Sequence, residues 1–162
     1  PGVQVTLNGV AQGLAADLAR KALEEWGIEK ALIDAGEFNA IGSPEQRDSW
    51  HIGVQHPRQL GSIAKTGLQG RCLSTSGDYA SKFSDDYCHH HQLDPRTGLS
   101  PVKLSAVSVA APTALEADSL STALFVLGPE KAKEMVGSMD LVDALFVSKS
   151  GDITATDGFP LV

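Results

Sequence analysis

The sequence predicts an α+β domain, a mixed or mainly antiparallel sheet with helices packed on it. Apolar residues recur at helical spacing in two long segments. Short apolar runs bounded by glycine and proline lie between and after them. The two patterns interleave without the regular strand–helix–strand alternation of a parallel sheet. With 162 residues, 42% of them hydrophobic, the chain is one domain or part of one, long enough to bury a core.

In chain order, "GLAADLARKALEEWG" puts Leu14, Leu18, Ala22 and Trp26 on one helical stripe, with Ala15, Ala19 and Leu23 beside it. Gly27 is placed to end that helix in the left-handed conformation. "KALIDAGEFNAIG" reads as a short strand running into a turn at Gly36. "WHIGVQHP" is a second strand, stopped by Pro57. "SIAKTGLQGRCLSTSGDY" gives two short strands around Gly67 and Gly70, then a small-residue loop. "LSAVSVAAP" is rich in Val and Ala, as a strand covered on both faces would be. Thr113 and Glu116 make a capping box ahead of "ADSLSTALFVLG", with Gly128 as the stop. Pro129 opens the short helix "PEKAKEMVG". "DALFVS", the turn "KSGD" and "ITATDGF" close as a hairpin.

A formal charge of −7 argues against a nucleic-acid surface, which needs clustered Lys and Arg. No apolar run reaches membrane-spanning length. No signal peptide is visible, and the opening "PGVQVTLNG" reads like the middle of a protein. Cys72 and Cys88 are too few for a disulfide framework and read as small buried hydrophobes.

Four places could carry chemistry. In "CHHHQLDPRTGLSP", an extended backbone would turn His89 and His91 one way and His90 the other. Consecutive histidines rarely hold one ion, so a zinc site is disfavoured. In the "DPRTG" turn, Pro95 fixes the backbone, Gly98 lets it close and Asp94 accepts backbone amides. Arg96 is then either a forked donor for a phosphate or a solvated surface arginine. In "EADSLSTAL", Asp118 and Thr122 share a helix face. They suit Mg²⁺, but a dipole-stabilised Asp and a Thr bonded back to its helix are the commoner arrangement. The small-residue loops "NGVAQG" and "STSG" would let backbone amides approach an anion. Glu37 is either a solvated turn residue or an acceptor for a ligand.

Taken in order, "NGVAQGLAAD", "LIDAGEFNAIG", "LSTSGDY", "HHHQLDPRTGLSP" and "EADSLSTALFVLG" resemble the FAD:protein FMN transferase, or ApbE, family. The resemblance implies an Mg²⁺-dependent transferase that cleaves FAD at its pyrophosphate. It moves FMN to a Thr or Ser hydroxyl of a target flavoprotein and releases AMP. It makes Asp118 and Thr122 metal ligands, Ser121 a weaker third, and Gly9 the source of a completing backbone carbonyl. His91 matches the family's functional histidine. Leu93, Asp94, Arg96, Thr97 and Gly98 match part of the flavin-nucleotide pocket. The loop is then a phosphate clamp and acid–base element, with His89 and His90 structural.

Three nucleotide-facing positions depart from the usual pattern. Gln12 stands for a Lys, Thr6 for an Asp found in many members, and Glu37 for the second Gly of a G-G segment. These changes resemble a branch associated with nitrous-oxide-reductase maturation. Its members are periplasmic or membrane-associated on the outer face of the inner membrane, and serve a membrane flavoprotein. Residues 1–162 then match the C-terminal portion of a single family domain. Association with the N-terminal part, or dimerisation, is the expectation for such a piece, because it exposes sheet edges. The same motifs suit an FAD pyrophosphatase giving FMN and AMP, or a non-catalytic FAD-binding and delivery partner.

Overall fold

A computed structural model describes residues 2 and 4–162. The elements are α1 (Ala11–Glu25), β1 (Ala31–Asp34), β2 (Phe38–Ile41), β3 (Trp50–Gln55), β4 (Ser62–Leu68) and β5 (Cys72–Gly77), then β6 (Leu104–Ala111), α2 (Ala114–Leu127), α3 (Pro129–Val136), β7 (Asp143–Ser148) and β8 (Ile153–Ala155). One six-stranded sheet runs β1-β2-β5-β6-β7-β8, antiparallel at every step, and β3-β4 forms a separate antiparallel pair. The α+β expectation holds, and the described pairings are all antiparallel.

β6 is buried along its whole length. Val107, Val109 and Ala111 pack beneath α2 and α3, against Leu120, Leu124, Phe125 and Val136. Ala106 and Ala110 face the β3-β4 pair through Ile52, Val54 and Leu68. A strand covered on both faces needs small and branched side chains both ways, and that is the Val/Ala run in the sequence.

Two readings change. "STSG" is the end of β5, not a loop: Ser74, Thr75, Ser76 and Gly77 pair with Val109, Ser108, Val107 and Ala106. Ladder pairing with a buried central strand overrides the turn preference of small residues. "GEFNAIG" also goes further than a turn, since Phe38–Ile41 returns as β2 to complete a hairpin across Gly36, whose φ is 95°.

The apolar stripe of α1 does not face the core. Leu14, Leu18 and Trp26 are 47%, 58% and 85% exposed, while Gly13 and Ala16 are buried against α2. A Cβ on Gly13 would stand 2.3 Å from the Ala114 carbonyl oxygen, so the helices approach through their smallest residues. Gly27 does end α1 with a positive φ of 78°. The Thr113 cap forms as expected: Glu116 N–H donates to its hydroxyl at 3.1 Å. Cys72 is buried and Cys88 half-buried, and both are free thiols.

Candidate functional site

The site is built by two helices that cap each other. Asp17 of α1 accepts the Ala114 and Leu115 N–H groups of the first turn of α2, both at 2.9 Å. These donors have no partner within their own helix. Asp118 of α2 returns the arrangement, its Oδ2 accepting Gly13 N–H of α1 at 2.9 Å. Asn39 on β2 donates to Asp17 at 2.8 Å and ties the pair to the sheet. One oxygen of Asp118 is thereby fixed by the fold, and its other oxygen takes no hydrogen bond from the described residues.

Asp118 opens onto a cleft of about 510 Å³ between the start of α1, the ends of β5 and the histidine loop. Its polar walls include Asn8, Gln12, Glu37, Ser76, His91 and Thr122. Thr122 lies one helical turn after Asp118, and a Cβ on Gly9 would come 3.4 Å from its hydroxyl oxygen. The cleft holds two carboxylates and, among the described residues, no Lys or Arg. Both are pushed toward their neutral forms. Burial drives the Glu37 carboxyl up to about 7, with Asp118 and Asp34 adding repulsion. Burial also raises Asp118, against the pull of the Gly13 amide. Oε2 of Glu37 is buried with no hydrogen-bond partner. A buried polar atom without a partner is the exception in folded proteins, so the fold alone does not satisfy this carboxyl.

The histidine loop is anchored at its base and at its centre. Asp78, fully buried, takes both Nη atoms of Arg58 at 2.7 Å and the ammonium of Lys149. Arg58 also lies 3.8 Å from the Tyr87 ring centroid, holding the loop from above. His90 is buried edge-on against Phe125 and bonds the Pro101 carbonyl at 3.0 Å through Nε2. Burial pulls its pKa down, as befits a neutral structural ring. His91 points away, to the cleft. Its Nδ1 is 3.3 Å from the Ser81 carbonyl, which can only accept. Nδ1 therefore carries the proton in that contact, and in the neutral ring Nε2 is the nitrogen left to accept. The alternation expected for the three histidines is present, with His89 and His91 exposed and His90 inside.

Residues 1–146 match the family model described as the ApbE family. This chain belongs to that family. A relative from Escherichia coli K12 named FAD:protein FMN transferase is 37% identical over 158 residues, covering 94% of this chain and 44% of the relative. One of the same name from Haemophilus influenzae is 33% identical over 154 residues, with 91% and 44% covered. Among solved structures, the ApbE protein of Thermotoga maritima superposes with a TM-score of 0.87 at 32% identity, covering 96% of this chain and 52% of that one. The apo flavinyl transferase ApbE of Pseudomonas stutzeri gives 0.78 at 36% identity, covering 95% and 50%. The chain thus spans about half the length of the ApbE proteins it matches.

Of the ApbE motif residues, Thr6, Gly9, Gln12, Glu37, His91, Leu93, Asp118 and Thr122 all line the cleft. Ser121 does not. It is fully buried and bonds Ser74 and Ser76. Asp94, Arg96, Thr97 and Gly98 also lie outside the lining. Arg96 is exposed and folded onto Asp94, with Nη2 2.7 Å from Oδ2, which holds the Asp94 carboxyl well below its usual range. Asp94 accepts Arg96 N–H at 2.9 Å and closes the turn, and the arginine fork folds back onto the same carboxylate. Nothing local in the sequence singles out Asp17, Ser76 and Asp78. Their motifs were visible, but their partners lie 97, 46 and 71 positions away.

Proposed function

We propose that this chain carries the metal-and-diphosphate half of an FAD:protein FMN transferase. The carrying observation is a cleft with two buried carboxylates and no fixed cation, on a scaffold shared with ApbE proteins. A diphosphate entering it needs a positive partner, and the donors offered are oxygens: Asp118, Thr122 and the Gly9 carbonyl. That set suits Mg²⁺, which takes oxygen ligands and retains positions for substrate phosphates. When bound, the ion supplies charge neutralisation on the pyrophosphate.

The chain's own groups do the rest. The Gly13 amide orients Asp118, and Gln12 and Asn8 offer uncharged donors to phosphate oxygens. Nε2 of His91 takes the proton of an acceptor Thr or Ser hydroxyl. That oxygen bonds the FMN phosphorus as the bond to the AMP oxygen breaks. FAD and a target flavoprotein are then the partners, outside the inner membrane for a member of the branch named above. The portion of the ApbE fold beyond this chain completes the nucleotide pocket. Intact-mass spectrometry of a candidate acceptor incubated with FAD and Mg²⁺ tests the reading. A gain of one FMN with release of AMP supports it. AMP without modification of the acceptor points to a pyrophosphatase, and neither product to a binding partner.

A further inference from the structure

Behind Thr122 runs a chain of hydroxyls that the reaction does not touch. Ser74 Oγ lies 3.2 Å from Ser121 Oγ, Ser121 Oγ 2.8 Å from Ser76 Oγ, and Ser76 Oγ 3.1 Å from Thr122 Oγ1. Ser74 and Ser121 are buried away from water, and Ser76, 8% exposed, stands where the chain meets the cleft. Each hydroxyl has one proton to give and two lone pairs to accept with.

Only one proton assignment makes all four contacts of this chain hydrogen bonds at once. Ser121 donates to the Asp118 carbonyl at 3.0 Å, an atom with nothing to give back. Its oxygen must then accept from Ser76. Ser76, its proton spent, must accept from Thr122. The Thr122 proton is therefore drawn into the protein, and its oxygen turns only lone pairs to the cleft.

We propose that Ser76 and Ser121 are positioning residues for the cation site, holding the Thr122 hydroxyl as a pure acceptor before the metal arrives. This rests on the Mg²⁺ reading above. It also gives Ser121 a place: it works from behind Thr122, not as a ligand. A hydroxyl free to rotate would point its proton at the incoming cation part of the time and would have to be turned on binding. Outer partners of this kind orient first ligands and weaken metal binding when removed.

The test is calorimetric titration of the whole chain with Mg²⁺ alone. Ser76→Ala and Ser121→Ala each weaken binding on the order of 10-fold or more, with thermal unfolding and circular dichroism unchanged. Ser108→Ala, an equally buried serine whose hydroxyl bonds Thr75 at 2.7 Å outside the chain, leaves the affinity as it was. In a Thr122→Val background, Ser76→Ala costs nothing further, because its effect passes through Thr122. Unchanged affinity in a folded Ser76→Ala or Ser121→Ala protein, or an equal loss in Ser108→Ala, overturns the proposal. Absence of Mg²⁺ binding by the unmodified chain overturns the metal reading itself, and this inference with it.

Discussion

Glu37 is the residue whose surroundings sit least well with its charge. It is 6% exposed, its Oε2 is unpartnered, and its carboxyl is pushed up to about 7. A carboxyl raised by folding stabilises the fold fully below its unfolded range, and that contribution is lost as pH rises through about 7. Thermal melts without metal should therefore show a falling midpoint between roughly pH 5 and pH 7. In Glu37→Gln, which has no charge to bury, that fall should flatten. A wild-type slope that survives in the variant would put its origin elsewhere. At His91 the expectation concerns rate. His91→Ala lowers FMN transfer by roughly 10²–10⁴-fold with FAD binding retained. Transfer that persists in this variant while Asp118→Ala abolishes it would remove the base from His91. Asp118, Thr122, Gly9 and His91 were legible because each sits in a short motif of telling residue types. The role of Ser76 was not, since a serine's function here depends on which hydroxyl it meets across a helix–sheet contact.

Between elements, the reciprocal capping of α1 and α2 places the carboxylate. Gly13 is its tightest point, where a Cβ would meet Ala114 backbone at 2.3 Å and Asp118 Cβ at 2.8 Å. Gly13→Ala should lower stability by ~3 kcal/mol, the upper end of overpacking, in chemical denaturation. It should also displace the amide that orients Asp118. A variant as stable as wild type would mean the helices can part without cost. The capped helix α2 and the doubly covered β6 were readable because local pattern and tertiary demand agree there. The placement of α1 was not. Periodicity marks Leu14, Leu18 and Trp26 as the apolar face, yet the contact with α2 is made by Gly13 and Ala16. Spacing reports where apolar residues lie and says nothing of which smaller face another helix will choose. The "STSG" segment failed for the opposite reason: a turn-like composition gave way to six paired positions along β6.

At the scale of the whole molecule, the chain presents the floor of a site. The cleft carries two carboxylates, His91 and a row of hydroxyls, while Leu14, Leu18 and Trp26 of α1 stand exposed and β1 forms one edge of the sheet. Association with another surface, as proposed above, would cover them. Sedimentation of the chain should accordingly show self-association that Leu18→Glu and Trp26→Glu reduce, and a compact monomer at all concentrations would argue against that role for α1. In the function proposed above, these residues hold the metal and the diphosphate of FAD. Its most direct test is a titration of the chain with FAD, with and without Mg²⁺, in wild type and in Asp118→Ala. Mg²⁺ should strengthen binding, and Asp118→Ala should reduce it to the metal-free level. Binding equally tight without Mg²⁺, or untouched by the loss of Asp118, would contradict it.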